Sequence, residues 1–504
     1  MILWSGHFEY VMVPSFRSLF HTIADPFHEK KRLNVALLLI YSVINGLVFF
    51  NAWHHDSAIG YDAYAHTDYI EAFAQLRLVT PEDSYEFFSP PLPYVIPAWA
   101  IAFGNVTVER AEKIAQLFNV LLSLGLTYFL LKICDRVHSS AALKLGTLMS
   151  LGLLPVYYKT FAYVRGEPYV AFFAVVAIYL TLLIFQLHRA TLGYAVLLGI
   201  TLGALALSRQ WGILLYPALG LFMLWQGWIY RFHVWPFARA IAIISVITFL
   251  VSSWFYLGLR SEYGQATAFN RVPQEQFSFQ NQPASFYFDL SVDEILTDPI
   301  RGNFPNRFFP IFYSEIWGDY WGYFSVYGKD IRTNEYVAGL TLSNTLQENS
   351  GIPDWLETNR LSIAPYLGRV NGISLFPTAI MVLSVVFSSI TVIRRLRTNP
   401  MANGKDAIQS RHQRDTLLLL LLAIATSLGG YAWFLIMYPN LGKGDTIKAT
   451  YTLQVFPLLS ILTGYLLFQL KTWKPMLFFL VLFLWAGIWV HNLPSMVTHY
   501  PLLH

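Results

Sequence analysis

Runs of about twenty apolar residues recur along most of this chain, and they decide what it can fold into. A run of that length crosses a ~30 Å hydrocarbon core as a helix. Within lipid, only a helix or a closed barrel satisfies every backbone N–H and C=O. Candidate spans read as 33–53, 112–131, 141–157, 168–187, 191–207, 211–230, 238–259, 372–393, 416–438, 449–470 and 475–492. Of the 504 residues 55% are hydrophobic and only 13% charged, about half the charge of a soluble chain. The expected fold is an all-α polytopic membrane protein of about eleven transmembrane helices. The stretch 91–104, "PLPYVIPAWAIAFG", is also apolar, but it is short and Pro90, Pro91, Pro93 and Pro97 crowd its start. Proline removes backbone donors, so this segment is predicted to lie at or dip into the outer surface.

Loop charges support that parity. With Lys30, Lys31 and Arg32 inside and 91–104 not crossing, Lys132/Arg136, His188/Arg189, Arg231/Arg239, the run Arg394 to Arg414, and Lys471/Lys474 all fall on the cytoplasmic side, as the positive-inside rule requires. Were 91–104 to cross, each cluster would move outside. The net charge of +4 is therefore read as orientation, not nucleic-acid affinity. The layout is a cytoplasmic segment 1–32, a seven-helix module 33–260 with a first outer loop 54–111, a second outer loop 261–371, and a four-helix region 372–504. A single cysteine, Cys134, excludes an internal disulfide, and no Cys/His spacing suits a metal.

The polar features that could carry chemistry lie on the outer side. In "GYDAYAHTDYIEAF" (60–73), Asp62 and His66 are four apart and share a helix face; Asp68 and Glu71 fall on other sides. A partly desolvated carboxylate at the membrane edge gains basicity and could take a proton from a hydroxyl; a solvated acidic loop is the plainer reading. Arg165, in "VRGEP", is not explained by helix capping, whereas Glu167 and Pro168 are. Arg209, in "LSRQWG", stands between two apolar helices, either as a functional cation or snorkelling to the interface. Lys443, Asp445 and Lys448, in "GKGDTIKATY", open the tenth span and could hold a phosphate or merely anchor the helix. "RFFPIFYSEIWGDYWGYF" (307–324) places Trp317 and Trp321 with Asp319, which suits a sugar site or an interfacial aromatic belt equally.

Taken together, "YDAYAHTDYI" (61–70), "SPPLPY" (89–94), "VRGEPYVAFF" (164–173) and "SRQWG" (208–212) resemble the GT-C superfamily of integral-membrane glycosyltransferases. The resemblance is to the aminoarabinose transferase and protein O-mannosyltransferase group, and it covers about residues 30 to 260. It implies a polyprenyl-phosphate sugar as donor, a glycan, lipid or protein acceptor, and Asp62 as general base with His66 as helper. Arg209, Lys448, Arg165 and Lys443 would meet the donor phosphate, and Asp68, Trp317, Asp319 and Trp321 the acceptor or sugar. Many relatives carry Asp-Glu where this chain has Asp62-Ala63, and the first loop has no DxD pair. No cofactor is therefore inferred, and divalent-metal use stays open. The implied setting is a bacterial inner membrane with the site facing outward. A transporter of a polar or lipid-linked solute is the competing class, although its charges would sit near the midplane. An O-antigen-type polymerase or ligase is a further alternative.

Overall fold

The computed structural model describes residues 31–498, except 187–190, 230–233, 268–270, 302–303, 326, 330–335, 339–353, 397–404 and 443. Nearly all of the expected N-terminal segment 1–32, part of the second outer loop, and Lys443 thus lie outside the described residues. The first helix, α1, is Lys31–His54. After it come two short helices, α2 (Ala63–Phe73) and α3 (Leu92–Gly104), and then the long α4 (Val108–Val137). Two short helices, α5 (Ala141–Gly152) and α6 (Pro155–Ala162), precede α7 (Glu167–Thr181), which runs on through a π turn to Gln186. Helices α8 (Leu192–Ser208), α9 (Tyr216–Ile229) and α10 (Val234–Tyr263) complete the first module.

Among the described residues, the eleven apolar segments of the sequence appear as nine helices long and apolar enough to cross, one bent pair, and the shorter α8. The bend is the α5–α6 pair, broken by 66° where a single span 141–157 was expected. Pro155 causes it, because it has no N–H to continue the α5 ladder and instead opens α6. Helix α3 forms despite its prolines, because Pro93 falls within its first turn, where the amide would be unpaired anyway. At 13 residues it reaches only ~20 Å, too short to span, and it packs on α2 and α4.

Burial separates the centre of the bundle from its lipid-facing rim. In the segment Glu167–Gln186, 83% of the most apolar window is buried, against 22% for both Leu33–His54 and Trp235–Tyr263. A helix apolar on every face belongs inside protein or against lipid, and these belong to opposite extremes. Polar side chains also tie the rim helix α1 to α4. Asn45 Nδ2 donates to Thr127 Oγ1 at 3.2 Å, and Ser123 Oγ donates to Asn45 Oδ1 at 2.7 Å.

The second outer loop folds back over this bundle through α11 (Ala284–Phe288), α12 (Val292–Thr297), α13 (Phe308–Trp317) and a small hairpin pairing Tyr327–Lys329 with Tyr336–Ala338. The last region holds α14 (Asp354–Leu396), α15 (Lys405–Met437), α16 (Val455–Trp473) and α17 (Pro475–Met496). Helix α14 begins well before the expected span at 372, so part of the second loop is an extension of that span.

Helices α5 and α16 cross closely because small residues face one another. A Cβ on Gly464 would lie 2.2 Å from Thr147 Oγ1 and 2.6 Å from the Leu143 carbonyl oxygen. In lipid, such close backbone approach is a main source of helix association. Gly464→Ala is expected to lower the stability of the purified protein by about 1–3 kcal/mol, read as a fall in thermal midpoint. An unchanged midpoint would show that the crossing relaxes freely.

Candidate active site

Three turns on one side of the bundle converge on a polar cavity of about 290 Å³. Its wall takes Asp62 from the first outer loop, Glu86 and Ser89 from the segment before α3, Arg209 from the α8–α9 turn, and Asp445 and Lys448 from the segment before α16. The second outer loop adds Arg271, Arg301, Trp321 and Tyr323.

The deepest part is an ion network. Arg209 Nη1 donates to Glu86 Oε2 at 2.7 Å and to Ser89 Oγ, and its Nε donates to Glu167 Oε1 at 3.2 Å. Arg165 shares the same carboxylate, its Nε reaching Glu167 Oε2 at 2.8 Å. All four charged side chains are buried. Gly166 makes this sharing possible, since a Cβ there would lie 2.2 Å from the Ser208 carbonyl oxygen. The "VRGEP" and "SRQWG" turns therefore touch backbone to backbone. Glu167 is thus more than a helix cap.

Asp62 sits at the mouth of α2 in a left-handed conformation, φ 55° and ψ 30°. Its Oδ2 accepts from Lys448 Nζ at 3.2 Å, across 386 residues of sequence. The Lys448 ammonium beside Asp62 holds its carboxyl well below the usual carboxylate range, against the opposing effect of burial, with Arg165 and His66 assisting. The boundary position alone suggested raised basicity; the lysine reverses that direction. Burial works against the charge of Lys448, but Asp62 and Tyr451 outweigh it and hold the ammonium above the usual lysine range. Lys448 also lies 4.8 Å from the Tyr61 ring centre and 5.6 Å from that of Tyr451. The Arg165 guanidinium lies 5.2 Å from the Tyr61 ring on the same terms. Lys448 precedes a 3-10 turn, Ala449–Thr452, and its own backbone N–H donates to Tyr431 Oη at 2.7 Å. That amide is not free for a phosphate.

The remaining residues singled out from sequence disperse. His66 is buried behind the cavity, its Nδ1 2.7 Å from Tyr94 Oη and its Nε2 without a partner. Asp68 is exposed on α2 and lies off the cavity wall. Trp317 is buried in the main hydrophobic core. Asp319 is also buried, 3.9 Å from Lys159 Nζ, and accepts the backbone N–H groups of Tyr323, Phe324 and Ser325. Trp321 alone of that trio faces the cavity, 4.9 Å from the Arg301 guanidinium, while its Nε1 donates to the Ile447 carbonyl at 3.1 Å. Beneath it Tyr61 Oη donates to Glu315, whose carboxylate pairs with Lys159 at 2.7 Å. Among the described residues, no three His, Cys, Asp or Glu side chains gather as a metal site.

Glu86, Arg271 and Arg301 were not singled out by sequence. Glu86 offered a signal, lying four residues before Pro90 in the first outer loop. The two arginines come from loop sequence without a motif.

The chain was compared with known proteins on this basis. No family model matches it, and no curated protein matches it. Among solved structures, the oligosaccharyltransferase of Archaeoglobus fulgidus tethered with an acceptor peptide aligns with 94% of this chain and 56% of its own, at a TM-score of 0.51 and 13% identity. The same enzyme with an inhibitory peptide and a dolichol-phosphate gives 0.49 at 14% identity, over 93% and 56%. ArnT from Cupriavidus metallidurans bound to undecaprenyl phosphate gives 0.37 at 13%, over 85% and 77%, too low to carry an argument. The protein is therefore a polytopic helical membrane protein whose fold is like that of the archaeal oligosaccharyltransferase. It spans about half the length of the archaeal transferase it matches, and at this identity the likeness extends to the fold alone.

Two buried histidines flank the site and give it a pH signature. Burial pushes His66 down to about 4, against Glu86, and likewise His55 to about 4, against its bond to the Ile59 carbonyl. Each is neutral when folded and would protonate near 6.5 when unfolded, so their stabilisation is complete above pH 6.5 and lost by pH 4. The loss is about 3 kcal/mol per histidine. Thermal midpoints measured between pH 7 and 4 should fall through that window, and His66→Gln should remove roughly half of the slope. A slope untouched by that change would place the proton uptake elsewhere.

Proposed function

We propose that the protein transfers a sugar from a polyprenyl-phosphate donor to an acceptor hydroxyl at the outer face of the membrane, inverting the anomeric centre, with Asp62 as general base. The observation that carries this reading is the Asp62–Lys448 pair, 3.2 Å apart, on the wall of a polar cavity to which both outer loops contribute. A transferase of this kind needs a carboxylate on the acceptor side and a cation on the phosphate side. In the reaction, the acceptor O–H gives its proton to Asp62 as its oxygen bonds to the anomeric carbon. The bond from that carbon to the phosphate oxygen breaks on the opposite face. The electron pair leaves with the polyprenyl phosphate, whose charge Lys448 meets as it develops.

The roles of the other groups follow from their partners. Arg209 and Arg165, committed to Glu86 and Glu167, contribute field and rigidity to the phosphate end. Trp321 and Tyr323 offer ring faces to a sugar. His66, neutral and hydrogen-bonded to Tyr94, holds α2 in place behind Asp62. The second outer loop supplies one side of the cavity and so bears on acceptor choice. The acceptor classes are a glycan, a lipid or a protein; the archaeal transferase of like fold was captured with an acceptor peptide. Basic inner loops orient the cavity away from the cytoplasm, in a bacterial inner membrane toward the periplasm.

The test compares envelope glycans and lipid-linked sugars by mass spectrometry in three strains: a deletion, the deletion with wild type, and the deletion with Asp62→Asn at equal expression. A sugar-sized mass should vanish, return with wild type, and stay absent with Asp62→Asn, whose transfer rate should fall about 10²–10⁴-fold. Identical glycans in all three strains under several growth conditions would sink the reading.

A further inference from the structure

The charges lining the cavity form pairs of unequal character. Glu86 pairs with Arg209, Asp445 with Arg301, and Asp62 with Lys448. Arg209 is locked: it bridges two buried carboxylates and a serine hydroxyl. Moving it would strand buried Glu86 without a counter-charge and leave Glu167 to Arg165 alone. Arg301 lies over the Trp321 ring while holding Asp445 at 3.1 Å. Lys448 is different. Among the described residues, Asp62 is the one hydrogen-bond acceptor of its ammonium, which leaves two of its three donors directed among the Tyr61 and Tyr451 rings. Asp62 is the partner best able to lose it, because a third of its side chain is exposed (33%) and water can replace the lysine.

Resting on the transferase reading above, we propose that Lys448 is the wall cation that changes partner on donor binding. It leaves Asp62 for the anionic oxygen of the donor phosphate, so that Asp62 competes for Lys448 against the very ligand whose reaction it serves. Two consequences follow from one ammonium with two claimants. While Lys448 sits on Asp62 at 3.2 Å, the carboxylate is charge-paired and a weak base. With the phosphate in place the lysine's charge is shared, the hold on the Asp62 carboxylate relaxes, and its basicity rises only when a donor is present. Water in an empty cavity therefore meets a quenched carboxylate. The phosphate in turn pays for that exchange with part of its affinity.

The exchange makes a prediction opposite to that of a purely supporting aspartate. Asp62→Asn is the suitable change, since asparagine tolerates the left-handed backbone at this position and keeps the shape while removing the charge. The full-length protein in detergent is titrated with farnesyl phosphate as probe, and with farnesol as the same tail lacking the anion. Asp62→Asn should bind farnesyl phosphate about tenfold or more tightly than wild type, with farnesol binding unchanged. Lys448→Gln should weaken farnesyl phosphate binding, and adding Asp62→Asn to it should bring no further tightening. That missing increment is the signature of a shared lysine, because a change in general cavity charge would tighten binding in either background. Equal or weaker binding by Asp62→Asn, with wild type binding normally, overturns the exchange and leaves the transferase reading standing. Failure of wild type and Asp62→Asn alike to bind farnesyl phosphate overturns both.

Discussion

The structure of the site depends on a buried carboxylate, Glu167, that two guanidiniums share. Arg165 approaches it from its own turn and Arg209 from the turn after α8, and Arg209 then reaches on to Glu86 in the first outer loop. Each charge is removed from water, and each is tolerable only because the others are present. Three segments far apart in sequence are thereby fixed to one another at the end of the bundle, and the cavity is what remains between them and the second outer loop. A replacement that removed any one of these four charges would leave a buried charge unbalanced, not merely delete a contact. The network is a poor source of net stability by itself, but it specifies one arrangement of loops at the end of the helical scaffold.

A second buried pair ties the outer loops together below the cavity. Lys159 on α6 meets Glu315 on α13, and Tyr61 donates to the same carboxylate from the residue next to Asp62. Burial holds the Glu315 carboxyl above its usual range, against the pull of Lys159. The bend at Pro155 is what allows this. A straight helix through 141–162 would carry Lys159 along the bundle axis, whereas the 66° turn lays α6 toward α13.

Much of the scaffold was legible because lipid leaves the backbone few choices. Apolar length and loop charge located every long helix and set 91–104 apart, and the one helix read as continuous but found broken, 141–157, carried its reason in Pro155. Of the site, the short motifs at Asp62, Arg165, Arg209 and Lys448 stood out as ionisable groups beside hydrocarbon; the structure brings Asp62, Arg209 and Lys448 to one cavity wall, with Arg165 buried on the Glu167 carboxylate that Arg209 shares. Their pairings were not legible. Nothing local in "GKGDTIKATY" says that Lys448 meets Asp62, because that contact is made by the path of the chain across 386 residues. Aromatic density misled for a related reason. The stretch 307–324 supplies a core tryptophan, a buried capping aspartate and a cavity-facing tryptophan within five residues, and only the helix end at Trp317 and the turn that follows sort them.

The left-handed backbone at Asp62 joins these observations. A non-glycine residue at φ 55° costs about 1–2 kcal/mol, less for aspartate than for a branched or apolar side chain, and such strain persists where surrounding structure fixes it. Here the residue before it is held from both sides: the Tyr61 hydroxyl by Glu315, its ring between Arg165 and Lys448. The residue after it starts α2, whose inner face is anchored by His66 on Tyr94. Asp62 is thus the hinge between two fixed elements, with its left-handed backbone set at the cavity wall. A carboxylate presented this way can exchange one partner for another without the chain moving, which is the condition a shared lysine requires.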